Sequence, residues 1–161
     1  LGTGGGLPGL PLAITHPRAS FYLLDSVGKK VRAVEAMAQE LGLRNVEAVN
    51  RRVEDLSSRF DWVTGRAVTA LPRFLSWAAP RLREGGDDLF PRGVFYFKGT
   101  LWREELDPFG ISPTAVHPLS DLLQDDSLAD RFLLFFDTAT ARAIATRVAA
   151  AEPAPKRRRG R

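Results

Sequence analysis

With 161 residues, 44% of them hydrophobic, the chain is long enough for one domain with a substantial buried core. It has no cysteine, which excludes disulfides and thiolate metal sites; its two histidines, His16 and His117, are far apart; and no apolar run reaches the roughly 20 residues of a membrane span. The net charge of +4 is local, because Lys156, Arg157, Arg158, Arg159 and Arg161 put five positive charges into the last six residues and leave −1 for everything before them.

The first nine residues, Leu1 to Gly9, include five glycines. A loop with so little side chain lets its backbone approach a ligand and adopt φ > 0. A helix opening behind it offers free N–H groups to a polar or anionic group. Spacing leaves the ligand open. Gly2, Gly4 and Gly6 fit G-x-G-x-G, the spacing of a methyl-donor loop, and Gly4, Gly6 and Gly9 fit G-x-G-x-x-G, the dinucleotide spacing. Leu10 to Thr15 is predicted as a short helix entered through Pro8 and Pro11. Ser20 to Leu24 is predicted as a strand closed by Asp25. Strand, glycine loop, helix, strand and acid open a nucleotide-type βαβ unit, in which the acid accepts hydrogen bonds from a ribose diol. The other reading of Asp25 is an N-cap for the next helix. The chain begins without Met, directly on what should be the end of a strand, and is expected to lack its natural N-terminus. With no signal peptide at the start, a cytoplasmic location is expected.

Lys29 to Leu41 has Val31, Val34, Ala38 and Leu41 at helical spacing and Gly42 as its stop. Lys29 and Lys30 read as a solvated face of that helix. Asn45 to Asn50 and Phe60 to Thr64 are predicted strands, the second leading into Gly65-Arg66-Ala67. Leu71 to Leu82 is a helix that Pro80 bends or ends. Gly93 to Phe97 is an unbroken apolar run, expected as a central strand covered on both faces, and it leads into Lys98-Gly99. Glu104 to Phe109 begins another helix, and His117 to Ser127 has no period and reads as a loop. Arg131 to Asp137 is a last buried strand, and Thr138 to Ala151 an alanine-rich helix ended by Pro153 and Pro155. Strands alternating with helices imply a mostly parallel sheet with helices on both faces.

Five blocks, in order, resemble the RsmG (GidB) family: Gly2-Thr3-Gly4-Gly5-Gly6-Leu7-Pro8-Gly9, Leu24-Asp25-Ser26-Val27-Gly28-Lys29-Lys30, Arg52-Val53-Glu54, Arg66-Ala67 and Lys98-Gly99. That family methylates guanine N7 in small-subunit (16S) ribosomal RNA. The resemblance runs from Leu1 to Asp137. It implies an α/β, Rossmann-like class I S-adenosylmethionine-dependent methyltransferase. The methyltransferase domain would span 1–137, without the family's N-terminal helices and first strand, and 138–161 would be the alanine-rich helix and basic tail.

The resemblance also implies S-adenosyl-L-methionine as cofactor, with Gly2, Gly4, Gly6 and Leu7 binding it through the loop. Asp25 would lie near the ribose, Val53 and Glu54 along the adenine, and Arg66 near the methyl-donor pocket. From the residues alone, Glu54 reads as a solvent-facing helix start and Arg66 as a surface ion pair. Guanine N7 carries a lone pair and no proton, so the enzyme's task is alignment, and no catalytic residue and no metal are expected. Arg66 and Lys98 are candidates for holding RNA through phosphate or guanine O6; Lys98 reads equally as a solvent-exposed lysine at a strand end. Lys156, Arg157, Arg158 and Arg159 form a basic arm for phosphates, or else a solvated tail. The implied partner is 16S ribosomal RNA or the small-subunit particle, met by a monomer away from any membrane. Two further departures from the resemblance stand out: Gly65 occupies a position that is usually serine in the family, and Glu84 to Arg92 looks longer than the family's turn, which suggests a loop insertion. The alternatives are a methyltransferase of this fold with another substrate, an RNA-binding remnant that transfers nothing, and, last, a dinucleotide oxidoreductase.

Overall fold

The computed structural model describes residues 1–86 and 91–151. From the glycine loop onward the opening forms as read, and no strand precedes the loop among the described residues. Helix α1 (Gly9–Thr15) leads to strand β1 (Phe21–Asp25), helix α2 (Gly28–Glu40) and strand β2 (Val46–Asn50). β1 and β2 pair in parallel, with Asp25 opposite Asn50 at their carboxyl ends. α2 buries Val31, Val34 and Ala38 and stops at Gly42, whose φ of 64° supplies the left-handed turn.

Four strands make the second sheet: β3 (Trp62–Arg66), β4 (Gly93–Gly99), β5 (Ala115–Pro118) and β6 (Arg131–Asp137), in spatial order β3-β4-β6-β5. β3 and β4 are parallel, whereas β6 runs antiparallel to both β4 and β5. The parallel crossovers therefore lie on the glycine-loop side, and an antiparallel edge completes the sheet. Leu1 to Thr3 bridges the two sheets. The Leu1 amino group donates to the Thr64 carbonyl at 2.8 Å, and the Thr3 amide to the Leu24 carbonyl at 2.9 Å.

Neighbouring strand residues point to opposite faces, and both faces carry helices. Leu23 packs with Leu10 of α1 and with Val34 and Ala38 of α2. Leu24 points the other way, into a cluster with Val53 and Leu56 that Trp77 of helix α3 (Leu71–Ala78) joins. On that second face the main core gathers Phe74, Leu75, Val94, Tyr96, Leu134 and Phe136 with Ala141, Ile144 and Val148 of helix α6 (Thr138–Ala151). Side chains of this size contribute about 1.5–3 kcal/mol each when fully buried.

Three readings are corrected. His117 to Ser127 is not a loop, because His117 and Pro118 belong to β5 and Leu119–Leu123 forms helix α5. β3 runs to Arg66 instead of stopping at Thr64, since Gly65 and Arg66 pair with Tyr96 and Phe97. β4 is central, but only its Val94 and Tyr96 face is fully buried; Phe95 and Phe97 are half-buried. The remaining predicted helix begins at Trp102, as α4 (Trp102–Leu106), two residues before the expected start. Pro80 ends α3 as expected, by tightening Ala79–Arg81 into a 3-10 turn. Lys156, Arg157, Arg158 and Arg159 lie outside the described residues, as does part of Glu84 to Arg92.

Candidate functional site

The carboxyl ends of β1, β2 and β3 place the sequence-derived residues around one edge of the fold. The loop begins with its backbone tied to Leu24 and then folds on itself, Thr3 O accepting from the amides of Gly6 (2.9 Å) and Leu7 (3.2 Å). Gly2, Gly4 and Gly6 have φ of 62°, 57° and 90°. At Gly6 the requirement is twofold, because a Cβ there would also stand 2.4 Å from Leu10 Cδ1. Beside Gly4 and Gly5 a Cβ would meet nothing within 4 Å, so the outer rim of the loop is open. Leu7 is exposed on that rim.

Asp25 is 8% exposed, one of the two buried polar side chains among the described residues. Its Oδ2 accepts from the Gly4 amide at 2.9 Å and its Oδ1 from the Val27 amide at 2.9 Å. Those two bonds join the acid to the glycine loop on one side and to the start of α2 on the other. Val27 holds the N-cap position of α2 without a side-chain cap bond, so the N-cap reading of Asp25 does not hold. Each carboxylate oxygen keeps a further lone pair for a hydroxyl donor. The Asp25 carbonyl accepts from Asn50 Nδ2 (3.0 Å) and the Arg51 amide (3.2 Å), which fixes the ends of β1 and β2 together.

Val53 and Glu54 open a 3-10 turn, Val53–Asp55, one step beyond β2. Val53 is buried against Leu24 and Leu56, and Glu54 is exposed. Arg81 reaches across from the end of α3, its Nη2 donating to the carbonyls of Val53 (3.3 Å) and Glu54 (3.2 Å).

Arg66 ends β3 with its side chain exposed. Behind it, Ala67 takes φ 51°. The Tyr96 hydroxyl accepts from the Val68 amide (3.1 Å) and donates to the Thr69 carbonyl (3.0 Å), which pins the loop to the core. Val68 in turn abuts Gly2, where a Cβ would come within 2.7 Å of Val68 Cγ1. The Arg66 loop and the glycine loop are thus in contact. Lys98 is neither free nor at a solvated strand end. Its Nζ pairs with Glu105 Oε1 at 2.7 Å, its side chain is 19% exposed, and Glu105 Oε2 accepts the Leu71 amide at 2.7 Å.

Gly65 has a structural reason. A Cβ there would lie 2.4 Å from Phe74 Cζ and 2.9 Å from Tyr96 Cε2, so the missing side chain admits the Phe74–Tyr96 pair, whose centroids are 4.5 Å apart. Sequence reasoning missed Arg81, Tyr96 and Glu105. Each acts on a segment 27 to 34 residues away, and no local pattern marks such a partner.

The family model for rRNA small subunit methyltransferase G (GidB) matches residues 1–107. The chain is 38% identical over 126 residues to the ribosomal RNA small subunit methyltransferase G of Christiangramia forsetii, covering 78% of this chain and 59% of that protein. It is 42% identical over 110 residues to the protein of that name from Porphyromonas gingivalis, covering 68% and 50%. The chain thus spans about half to three fifths of the length of the curated relatives it matches. Among solved structures it is similar to a SAM-dependent methyltransferase from Aquifex aeolicus, with a TM-score of 0.59 at 16% identity, covering 83% of this chain and 77% of that one. The fold is that of the class I methyltransferases.

Proposed function

This chain belongs to the rRNA small subunit methyltransferase G family, and we infer that it binds S-adenosylmethionine at the glycine loop and serves methyl transfer to N7 of a guanine in 16S ribosomal RNA. The observation that carries the reading is the buried Asp25 carboxylate, bonded to the Gly4 amide, at the carboxyl end of β1 beside an open loop rim. The residues present fit a nucleoside. Asp25 has lone pairs left for two ribose hydroxyls, and Glu54 is exposed one turn beyond β2, where its carboxylate is free to accept an amino group.

When bound, S-adenosylmethionine supplies an electrophilic methyl group. The chain's own residues orient and hold. Gly2, Gly4, Gly6 and Leu7 give backbone contact, Asp25 the ribose, Val53 and Glu54 the adenine edge, and Arg66 a cation at the mouth of the site. Guanine N7 has no proton to lose, so the site operates without a general base, and alignment supplies the acceleration. Arg66, exposed at the end of β3, is the side chain best placed for RNA. Lys98, paired with Glu105 and 19% exposed, keeps further N–H donors for RNA. The basic run Lys156 to Arg159 adds phosphate contacts of a salt-dependent kind. No helix among the described residues is long and apolar enough to cross a membrane, and a cytoplasmic location and a monomeric state belong to the proposal.

The test has two arms: calorimetric titration of the intact protein with S-adenosylmethionine, and mapping of N7-methylguanine in 16S ribosomal RNA from cells with and without the gene. Binding together with loss of one modified guanine is expected. No binding, with an unchanged methylation map, overturns the reading.

A further inference from the structure

Arg81 has no role in any of the foregoing chemistry, yet its guanidinium is placed with care. It leaves the 3-10 turn Ala79–Arg81, and its backbone is tied to the start of the β3 segment: Phe60 N donates to Arg81 O at 2.7 Å, and Arg83 N to Phe60 O at 2.9 Å. From that fixed base one nitrogen, Nη2, donates to two successive carbonyls, Val53 at 3.3 Å and Glu54 at 3.2 Å. Nε is buried without a partner. Burying a donor unpaired costs about 1–3 kcal/mol, and packing alone gives no reason to put a guanidinium there. The two carbonyls do.

The Val53–Asp55 turn closes on two bonds of its own, Asp55 N to Arg52 O at 3.2 Å and Leu56 N to Val53 O at 3.1 Å, and Arg81 adds the side-chain contact from outside it. Glu54 and Asp55 are exposed, and Val53 is the turn's only buried side chain. The Val53 carbonyl and the Glu54 N–H are the two ends of one peptide group. A cation on the carbonyl orients that peptide and polarises its amide. The Asp55 amide is spent on Arg52 O at 3.2 Å, while the Val53 and Glu54 amides have no backbone partner among the described residues, as at the start of any short turn.

We propose that Arg81 is a positioning residue for the adenine-edge segment and, through it, a determinant of base selectivity. The inference rests on the cofactor reading above. Adenine offers an acceptor at N1 and a donor at its 6-amino group, matching an amide donor and the Glu54 carboxylate. Hypoxanthine reverses both, with a proton on N1 and a carbonyl at position 6. A turn held in register by Arg81 separates these two bases; a turn released from it separates them poorly.

The experiment compares calorimetric affinities of S-adenosylhomocysteine and S-inosylhomocysteine for the intact protein and for its Arg81→Met and Arg81→Lys variants. The ratio of the two affinities is the readout, because a general structural role weakens both ligands alike. In Arg81→Met the ratio is expected to fall about tenfold through weaker adenine binding, with hypoxanthine binding within about twofold, the size of one charge-assisted hydrogen bond. Arg81→Lys, which keeps the charge and loses the fork, is expected to fall in between, and it carries the same test if Arg81→Met does not fold. An unchanged ratio, or an equal loss on both ligands, overturns the role of Arg81 and leaves the cofactor reading standing. An unaltered protein that binds neither ligand overturns the cofactor reading and this inference with it.

Discussion

The two sides of the molecule are built from different materials. Around β1 and β2 the apolar clusters are small, Leu10, Leu23, Val34 and Ala38 on one face and Leu24, Val53 and Leu56 on the other, and both buried polar residues found among those described, Thr3 and Asp25, are here. Around β3, β4 and β6 the core is large and aromatic, with Phe74, Tyr96 and Phe136 fully buried. The side proposed to face the ligand is made of a glycine-rich backbone and one acid. It leans on the packed side through Val68 against Gly2, Trp77 beside Leu24, and Arg81 on the Val53 turn. Recognition should therefore break without unfolding, whereas a break in the core should take recognition with it.

The largest expected effect tests the second half of that statement. Phe74→Ala should cost about 3–5 kcal/mol of stability in chemical denaturation, as large aromatic truncations in a close-packed core do. Because Phe74 packs tilted against Tyr96, which holds the Arg66 loop, cofactor affinity should fall with it; affinity that survives the loss of stability would separate the two sides after all. Asp25→Asn probes the opposite case. An amide can accept at only one oxygen, and its NH₂ would face a backbone N–H. S-Adenosylmethionine affinity should drop by about 2–3 kcal/mol, with a stability loss near 1 kcal/mol, on the scale of a lost charged hydrogen bond. If calorimetry shows undiminished binding, the acid is bracing the loop and nothing more.

Gly65→Ser adds a side chain at the seam between the sides. Overpacking against Phe74 and Tyr96 should destabilise by about 1–3 kcal/mol, with cofactor affinity lowered less than in Asp25→Asn. The smallest effect belongs to Asp137, just before α6. Desolvation tends to raise its pKa, but the Thr140 amide, donating to Oδ1 at 2.7 Å, and the nearby Thr140 and Thr114 hydroxyls prevail and hold it below the ordinary carboxylate value. A depressed folded value means the stabilisation is complete above the unfolded pKa and lost as pH falls through the folded one. Asp137→Asn keeps a capping oxygen and loses the charge, and should thus cost about 0.3–1 kcal/mol at neutral pH, the usual worth of a negative charge at a helix N-terminus. The gap to the unaltered protein should close only below the ordinary carboxylate range, with cofactor binding unmoved throughout.

The same division explains what could be read from sequence. β6 and α6 run over Arg131–Asp137 and Thr138–Ala151 as predicted, because a buried apolar run and an alanine-rich stretch with Ile144 and Val148 one turn apart are local signals. Asp25 was legible because its place, at the end of a strand that follows a glycine loop, is fixed by nearest neighbours in the chain. β5 and α5 were not. Four residues ending in Pro118 form a strand only because β6 offers an edge, and α5 is five residues long with Leu122 and Leu123 exposed, so neither carries a period of its own. The solvent-exposed reading of Lys98 failed for the same reason. A lysine after an apolar run looks free until Glu105, seven residues on, turns back to meet it. What the glycine loop leans on is set by tertiary contact, and it was invisible until the chain was folded.

Gly65 and Phe74 also bear on how this sequence can drift. With Phe74 Cζ only 2.4 Å from where a side chain at 65 would begin, serine can arrive at 65 only after the ring at 74 has shrunk or turned. A smaller residue at 74 beside the glycine would first leave a void. Each single step crosses a valley that the pair avoids, so the two positions should be inherited as one locus, and the effects of changing both should depart from the sum of the two singles.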